Sequence, residues 1–242
     1  MMTKLEAIEK RISRRNYQSK SIETDILQKL KASINSYNIE SGLSIQFIEN
    51  GAEVFKGFRK SYGLFHGVRS FIALVGKTLD NDLMEKAGYY GELLVLEATT
   101  YGLGTCFVVA SYDKKNCPCE VDSDEALIGV ITIGPVDDSR GFKEKLVYRM
   151  AHRGNIKADQ LYNSDQEVPS WFMQGIRAVQ IAPSALNIHP VRLSYVSGQV
   201  KAYVDKIDGY NLVELGIAKA NFEIAAGGNF ERGNHGIFNK GL

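Results

Sequence analysis

Four cations fall within six residues at positions 10 to 15, in the stretch KRISRRNY, and the hydroxyl of Ser13 stands among them. Guanidinium forks match phosphate oxygens in pairs, and a small hydroxyl with backbone amides fills the acceptors they leave. The cluster, set directly before a helix, therefore reads as a phosphate site or as a solvated basic helix end. A second stretch, IAPSALNIHP at 181–190, follows an apolar helical segment. Pro183 forbids that helix to continue, while Ser184 and Asn187 offer side-chain hydrogen bonds in a tight turn. It is either a helix stop before a strand or a loop shaped to hold a polar ring. A third, GLGTCF at 102–107, is a helix cap feeding a core strand, and its glycines would also let a ligand ring lie against backbone.

Other chemically capable residues have plainer readings. Cys117-Pro118-Cys119 has a one-residue spacing that fits neither the two-residue redox pattern nor a four-ligand zinc site, and predicts a plain surface loop. With Cys106 there are three cysteines, which cannot all pair, and disulfides are not expected. His189, alone beside a proline, reads as structural more readily than catalytic. Trp171 opens an amphipathic helix, so core or interface packing is its default role.

The elements that must position these residues follow from periodicity. Apolar residues at Ile22, Ile26, Leu27 and Leu30 predict a helix from Ser21 or Glu23 to about Tyr37, punctuated by Gly42. Leu43, Ile45 and Phe47 alternate as a strand, and SFIALVG at 70–76 is a strand buried on both faces. A long helix runs from Leu83 to Tyr101 and stops at Gly102; Thr105–Ala110 and Leu127–Ile133 are central strands. The order then begins again. A helix spans Trp171–Ile181, strands at 192–196 and 200–204 flank Ser197-Gly198, and a second long helix covers Leu212–Ala226. Helix, strand, strand, helix recurs, and LLVLEATTYG is faintly similar to ANFEIAAGG, which predicts two halves related by a pseudo-twofold axis. The charged, glycine-containing residues 135–168 form the crossing segment.

With 242 residues and 44% hydrophobic content, the chain can bury a core of its own. Lysines and arginines (29) nearly cancel aspartates and glutamates (28), so no global field drives binding to nucleic acid or to a membrane surface. A phosphate site must be local. No signal peptide or long apolar span is visible, which together with the cysteine usage predicts the cytoplasm.

The stretches KRISRRNY, YGLGTCF followed by VVASYD, and APSALNIHPVRL occur in an order that resembles the nitroreductase superfamily of FMN-dependent oxidoreductases. The resemblance implies an α+β fold of central, mainly antiparallel sheets flanked by helices. That family consists of homodimers whose flavin lies at the interface, its phosphate on the basic segment of one subunit and its ring near the Pro-Ser loop of the other. Here the first half has the basic segment and GLGTC but ASINSYNIESG where the loop should stand, while the second half has the loop alone. The chain therefore resembles a subgroup with internally doubled chains, a dimer fused into one polypeptide that is monomeric for that reason. Residues 1–150 would be the first half and 151–242 the second, with one complete FMN site between them.

Carried over residue by residue, the resemblance implies that Arg11, Ser13 and Arg15 meet the phosphate, with Arg14 turned to solvent or to the opposite wall. Pro183, Ser184, Ala185 and Asn187 would edge the ring or the ribityl chain. Backbone at Ala110 and Ser111 would serve flavin N5, where the family has a glutamate and a glycine. Arg153 or Arg149 would add a further phosphate cation, Arg153 preferred, and Tyr62-Gly63 would contact the pyrimidine edge. His189 and Val191 stand where the family has glutamine and an aromatic residue around the proline. The implied activity is ping-pong transfer of hydride from NAD(P)H through flavin to a small electron-poor acceptor, a nitroaromatic or a quinone. Competing readings are a flavin-binding carrier or sensor without turnover and, against the charge balance, a phosphate- or nucleic-acid-binding module.

Overall fold

The computed structural model describes residues 2–55, 65–137 and 156–241. Helix α1 (Lys4–Lys10) opens on a reciprocal cap in which the Thr3 hydroxyl accepts from the Glu6 amide and the Glu6 carboxylate accepts from the Thr3 amide. Then follow α2 (Thr24–Ser41), β1 (Gln46–Ile48), β2 (Ser70–Lys77), α3 (Leu83–Thr100), β3 (Gly104–Val108) and β4 (Glu125–Gly134). The later part holds β5 (Tyr162–Ser164), α4 (Ser170–Ile181), β6 (Val191–Val196), β7 (Gln199–Val204), α5 (Gly209–Ala226), β8 (Gly228–Phe230) and β9 (Gly236–Lys240).

Two separate sheets result. The first has order β1-β2-β4-β3 and is antiparallel throughout. The second has order β5-β6-β7-β9-β8, with β5 parallel to β6 and the other pairs antiparallel. Setting α2-β1-β2-α3-β3-β4 beside α4-β6-β7-α5-β8-β9 matches every element of the first sheet to one of the second, in the same spatial order. β5 is the addition.

Between the sheets lie α3 and α5, each buried over most of its circumference, as expected of helices too apolar to show a narrow stripe. Their crossing is close because two glycines permit it. A Cβ on Gly88 would sit 2.0 Å from the Val213 carbonyl oxygen, and one on Gly216 would sit 2.0 Å from that of Glu85. The same sequence offset relates Glu85 to Val213 and Gly88 to Gly216, so the contact is reciprocal, as across a twofold axis.

The core divides accordingly. Leu30, Ile72, Leu94 and Ile131 anchor one cluster on the α2–α3 side of the first sheet, and Val54, Phe71, Val75 and Val130 fill its other face. Leu161, Phe172, Leu193 and Phe222 anchor the second sheet's core. Helix α1 packs Ala7 and Ile8 against Leu96 of α3 and Ala178 of α4.

Several expectations need correction. α2 runs to Ser41, ending at Gly42 with φ 74°. Residues 43–45 are not strand, because the Asn38 side chain takes both the amide and the carbonyl of Ile45. β3 stops at Val108, so Ala110 lies in a bend. The basic segment follows α1 and precedes α2 by several residues. Among the described residues, no helix is long and apolar enough to cross a membrane. The boundary at 150/151 lies outside the described residues.

Candidate functional site

The basic segment leaves α1 at Arg11, whose backbone is already extended (φ −60°, ψ 129°). It covers the free edge of the first sheet: Ser13 forms a parallel bridge with Thr105 of β3, and the Arg14 amide donates to the Thr105 carbonyl at 2.8 Å. A second bridge joins Asn16 to His66. Residues two apart in extended backbone share a side. Arg11, Ser13 and Arg15 therefore fall together, each partly exposed, opposite Arg14, which is buried. Arg14 does not face solvent. Its guanidinium donates to the Asp137 carbonyl at 2.9 Å, and its stem packs where a side chain on Gly104 would stand.

Arg11 makes the long connection. Its Nη2 donates to the carbonyl of Ile181 at 3.0 Å, 170 positions away in sequence, at the end of α4 where the Pro-Ser loop begins. Burial pulls its pKa down, and the Glu92 carboxylate opposes that effect. Glu92, on α3, is fully buried. Its Oε1 accepts from Asn221 Nδ2 of α5 at 3.0 Å, and its Oε2 finds no partner among the described residues. Burial pushes its carboxyl up to about 7, with Arg11 and Asn221 holding it back from rising further.

The Pro-Ser loop is held in an uncommon backbone path. Leu186, Asn187 and His189 all have positive φ (52°, 59° and 49°), a cluster that costs free energy and persists only where its surroundings enforce it. Here the enforcement is visible. The Ala185 amide donates to Glu214 Oε1 of α5 at 2.6 Å, the His189 amide donates to Ser184 Oγ at 2.9 Å, and Arg192 Nη1 donates to the His189 carbonyl at 2.7 Å. His189 Nε2 lies 3.0 Å from Asn187 Oδ1, so the buried imidazole braces the loop. Burial raises the Glu214 carboxyl, and its bonds from Ala185 and Ser184 work against the rise. Behind Pro183 is a cavity of about 10 Å³ lined by Val179, Ala182, His189, Val191 and Glu214, room for roughly one water. The exposed apolar tips are Leu186 and Ile188.

Ala110 is exposed and Ser111 half-buried in the bend that follows β3, the strand the basic segment covers. Tyr62, Gly63, Arg149 and Arg153 lie outside the described residues. Trp171 stacks on Phe238 in the second core, as its default reading required. Sequence reasoning missed Glu92, Glu214 and Asn221. The available signal was a carboxylate inside otherwise apolar helical runs, GELLVLEATT and LVELGIAKANF.

The turn between β8 and β9, the counterpart of the bend at Ala110, is closed differently. Lys219 Nζ, fully buried, lies 2.8 Å from Glu85 Oε1 and also donates to the Glu231 and Gly233 carbonyls. The Gly233 amide donates to Glu85 Oε2 at 2.8 Å, and the Arg232 guanidinium lies 4.1 Å over the Tyr89 ring.

No curated protein matches the chain. Among solved structures it is similar to a "putative nitroreductase" from Thermotoga maritima, at 20% identity and TM-score 0.64, covering 98% of this chain and 92% of that one. A likeness at that identity speaks to the fold. A nitroreductase with bound FMN from Desulfitobacterium hafniense aligns at 15% identity and TM-score 0.44, over 58% of this chain and 93% of that one. A "putative NADH dehydrogenase/NAD(P)H nitroreductase" from Parabacteroides distasonis aligns at 20% and 0.44, over 64% and 99%. The family model described as "Putative TM nitroreductase" matches residues 3–226, and on that near-complete match the chain belongs to this nitroreductase family.

Proposed function

We propose that the protein is an FMN-dependent oxidoreductase with one flavin site per chain, built between two halves that divide near residue 150. The observation that carries this reading is the hydrogen bond from Arg11 to the Ile181 carbonyl, which brings the basic segment to the base of the Pro-Ser loop. The donor set fits the group at both ends. Arg11, Ser13 and Arg15 on one side of an extended segment suit a phosphate, and a stapled, strained loop at Pro183–Asn187 suits the edge of a planar ring.

When bound, FMN would supply the two-electron chemistry, taking hydride from NAD(P)H and passing it to an electron-poor acceptor such as a nitroaromatic or quinone in a ping-pong cycle. The chain's part is to bind, orient and exclude water. Arg11 and Arg15 neutralise phosphate charge, with Arg153, or else Arg149, as the further cation, and Ser13 adds a hydroxyl. Pro183, Ser184, Ala185 and Asn187 hold the ring edge, Tyr62-Gly63 the pyrimidine side, and the backbone at Ala110 and Ser111 faces N5. Glu214 keeps the loop rigid by occupying the Ala185 amide.

The test is the visible spectrum and FMN titration of the purified protein, followed by steady-state oxidation of NADH and NADPH with a quinone. One flavin per chain with turnover is the expected result. A colourless protein that ignores added FMN overturns the proposal, and bound FMN that neither nucleotide reduces leaves a carrier or sensor instead.

A further inference from the structure

The connection from β3 to β4 carries two thiols outside the proposed flavin site. Cys119 Sγ lies 3.3 Å from Cys117 Sγ, and both cysteines are free and half-buried against an aromatic cluster that includes Phe55 and Tyr112. The reason they meet is local. Cys117 has extended backbone (φ −67°, ψ 124°), and residues two apart along extended backbone present side chains to the same side. Pro118 between them has its φ fixed by the ring, so the juxtaposition is built into the loop. The third cysteine, Cys106, is buried in β3 and is not a competitor.

We propose that Cys117 and Cys119 form a redox-active dithiol that closes to an intramolecular disulfide on reaction with small organic disulfides of the glutathione type, and reopens in dithiol reductants. Closure needs the sulfurs to move from 3.3 Å to the roughly 2.05 Å of a bond. The thiolate of one cysteine of the pair attacks one sulfur of the small disulfide, forms a mixed disulfide and releases one thiolate. The other cysteine, giving up its proton to solvent, then attacks the Sγ of the first, forms the Cys117–Cys119 bond and expels the second thiolate. The pair loses two electrons and two protons, and the small disulfide becomes two thiols.

Burial and the neighbouring Cys119 push the Cys117 thiol up, so formation of its thiolate is favoured by rising pH. The loop also carries Ala110 and Ser111, but the dithiol stands independently of flavin binding.

The experiment uses the full chain, reduced and desalted, then incubated with glutathione disulfide, denatured and alkylated with a maleimide for intact mass. The expected product has a single alkylated cysteine, carries no glutathione, and recovers three alkylated cysteines after dithiothreitol. Three reactive cysteines after oxidation, a persistent glutathione adduct on the unaltered chain, or covalent dimers overturn the proposal. Cys117→Ser and Cys119→Ser should each trap glutathione on the remaining cysteine of the pair, located by peptide mapping. If neither variant carries an adduct there, the proposal is overturned.

Discussion

At the scale of single residues, the proposed flavin site depends on which cations face outward. If Arg11 and Arg15 hold the phosphate as proposed, replacing either with alanine would remove charge-assisted bonds of about 1.5–3 kcal/mol, so FMN should bind about ten- to a hundredfold more weakly, read by flavin fluorescence titration. Arg14→Ala is the contrast. It removes a buried guanidinium and its bond to the Asp137 carbonyl, so thermal stability should fall while flavin affinity per folded molecule holds. Glu92 gives a pH dependence. Its carboxyl titrates at about 7 in the folded protein, against an ordinary value of 4.5, so the folded state holds a proton that the unfolded state releases earlier. Its contribution is fully present below the unfolded value and is lost as pH rises through about 7. Denaturation followed between pH 4.5 and 8 should therefore show Glu92→Gln with a flatter decline than the parent chain. An identical decline in both removes Glu92 from the account. Arg11, Ser13 and Pro183–Asn187 stand out in the sequence as candidates because chemistry is written in residue type. The partner of each could not be read there: apolar neighbours mark Glu92 and Glu214 as unusual glutamates, but which group each one meets is decided only when the opposing element is in place.

At the scale of elements, the α3–α5 crossing makes the sharpest demand. In an isolated helix, glycine to alanine gains up to about 1 kcal/mol from propensity. At Gly88 or Gly216 the added methyl would meet a backbone carbonyl oxygen at 2.0 Å, and neither helix can yield without opening the core. Gly88→Ala and Gly216→Ala should thus each destabilise by about 1–3 kcal/mol or more, measured by denaturant unfolding, a reversal of sign that isolates the packing. The long helices were legible because their runs of Leu, Ala, Ile and Val are continuous, and β2 because seven consecutive residues are apolar or small. Helix α1 escaped notice, being seven residues with only Ala7 and Ile8 buried, although Thr3 and Glu6 stood at the capping spacing. β5, β8 and β9 are short and, with polar residues such as YNS and FNK, lack the alternation that marks a strand. Their pairing comes from the sheet they join.

At the scale of the whole molecule, the matched order of the two sheets and the unlike closure of the two equivalent turns argue for one flavin per chain. The turn between β8 and β9 is pinned to α3 by Glu85, Lys219 and Arg232, groups that satisfy one another and leave little for a ligand. Quantitation of released FMN against protein should give a ratio near one, and a ratio near two would mean that the second turn opens. The recurrence of helix, strand, strand, helix was readable from periodicity. The identical spatial order of strands was not, because long-range pairing leaves no mark in a single sequence. The reciprocal glycine contact has a further consequence. Two separate subunits meeting through such a face would part on dilution, yet here the polypeptide running from α3 to α5 keeps each helix at a fixed local concentration beside the other. The crossing is as complete in a cell holding a few copies of the protein as in one holding thousands.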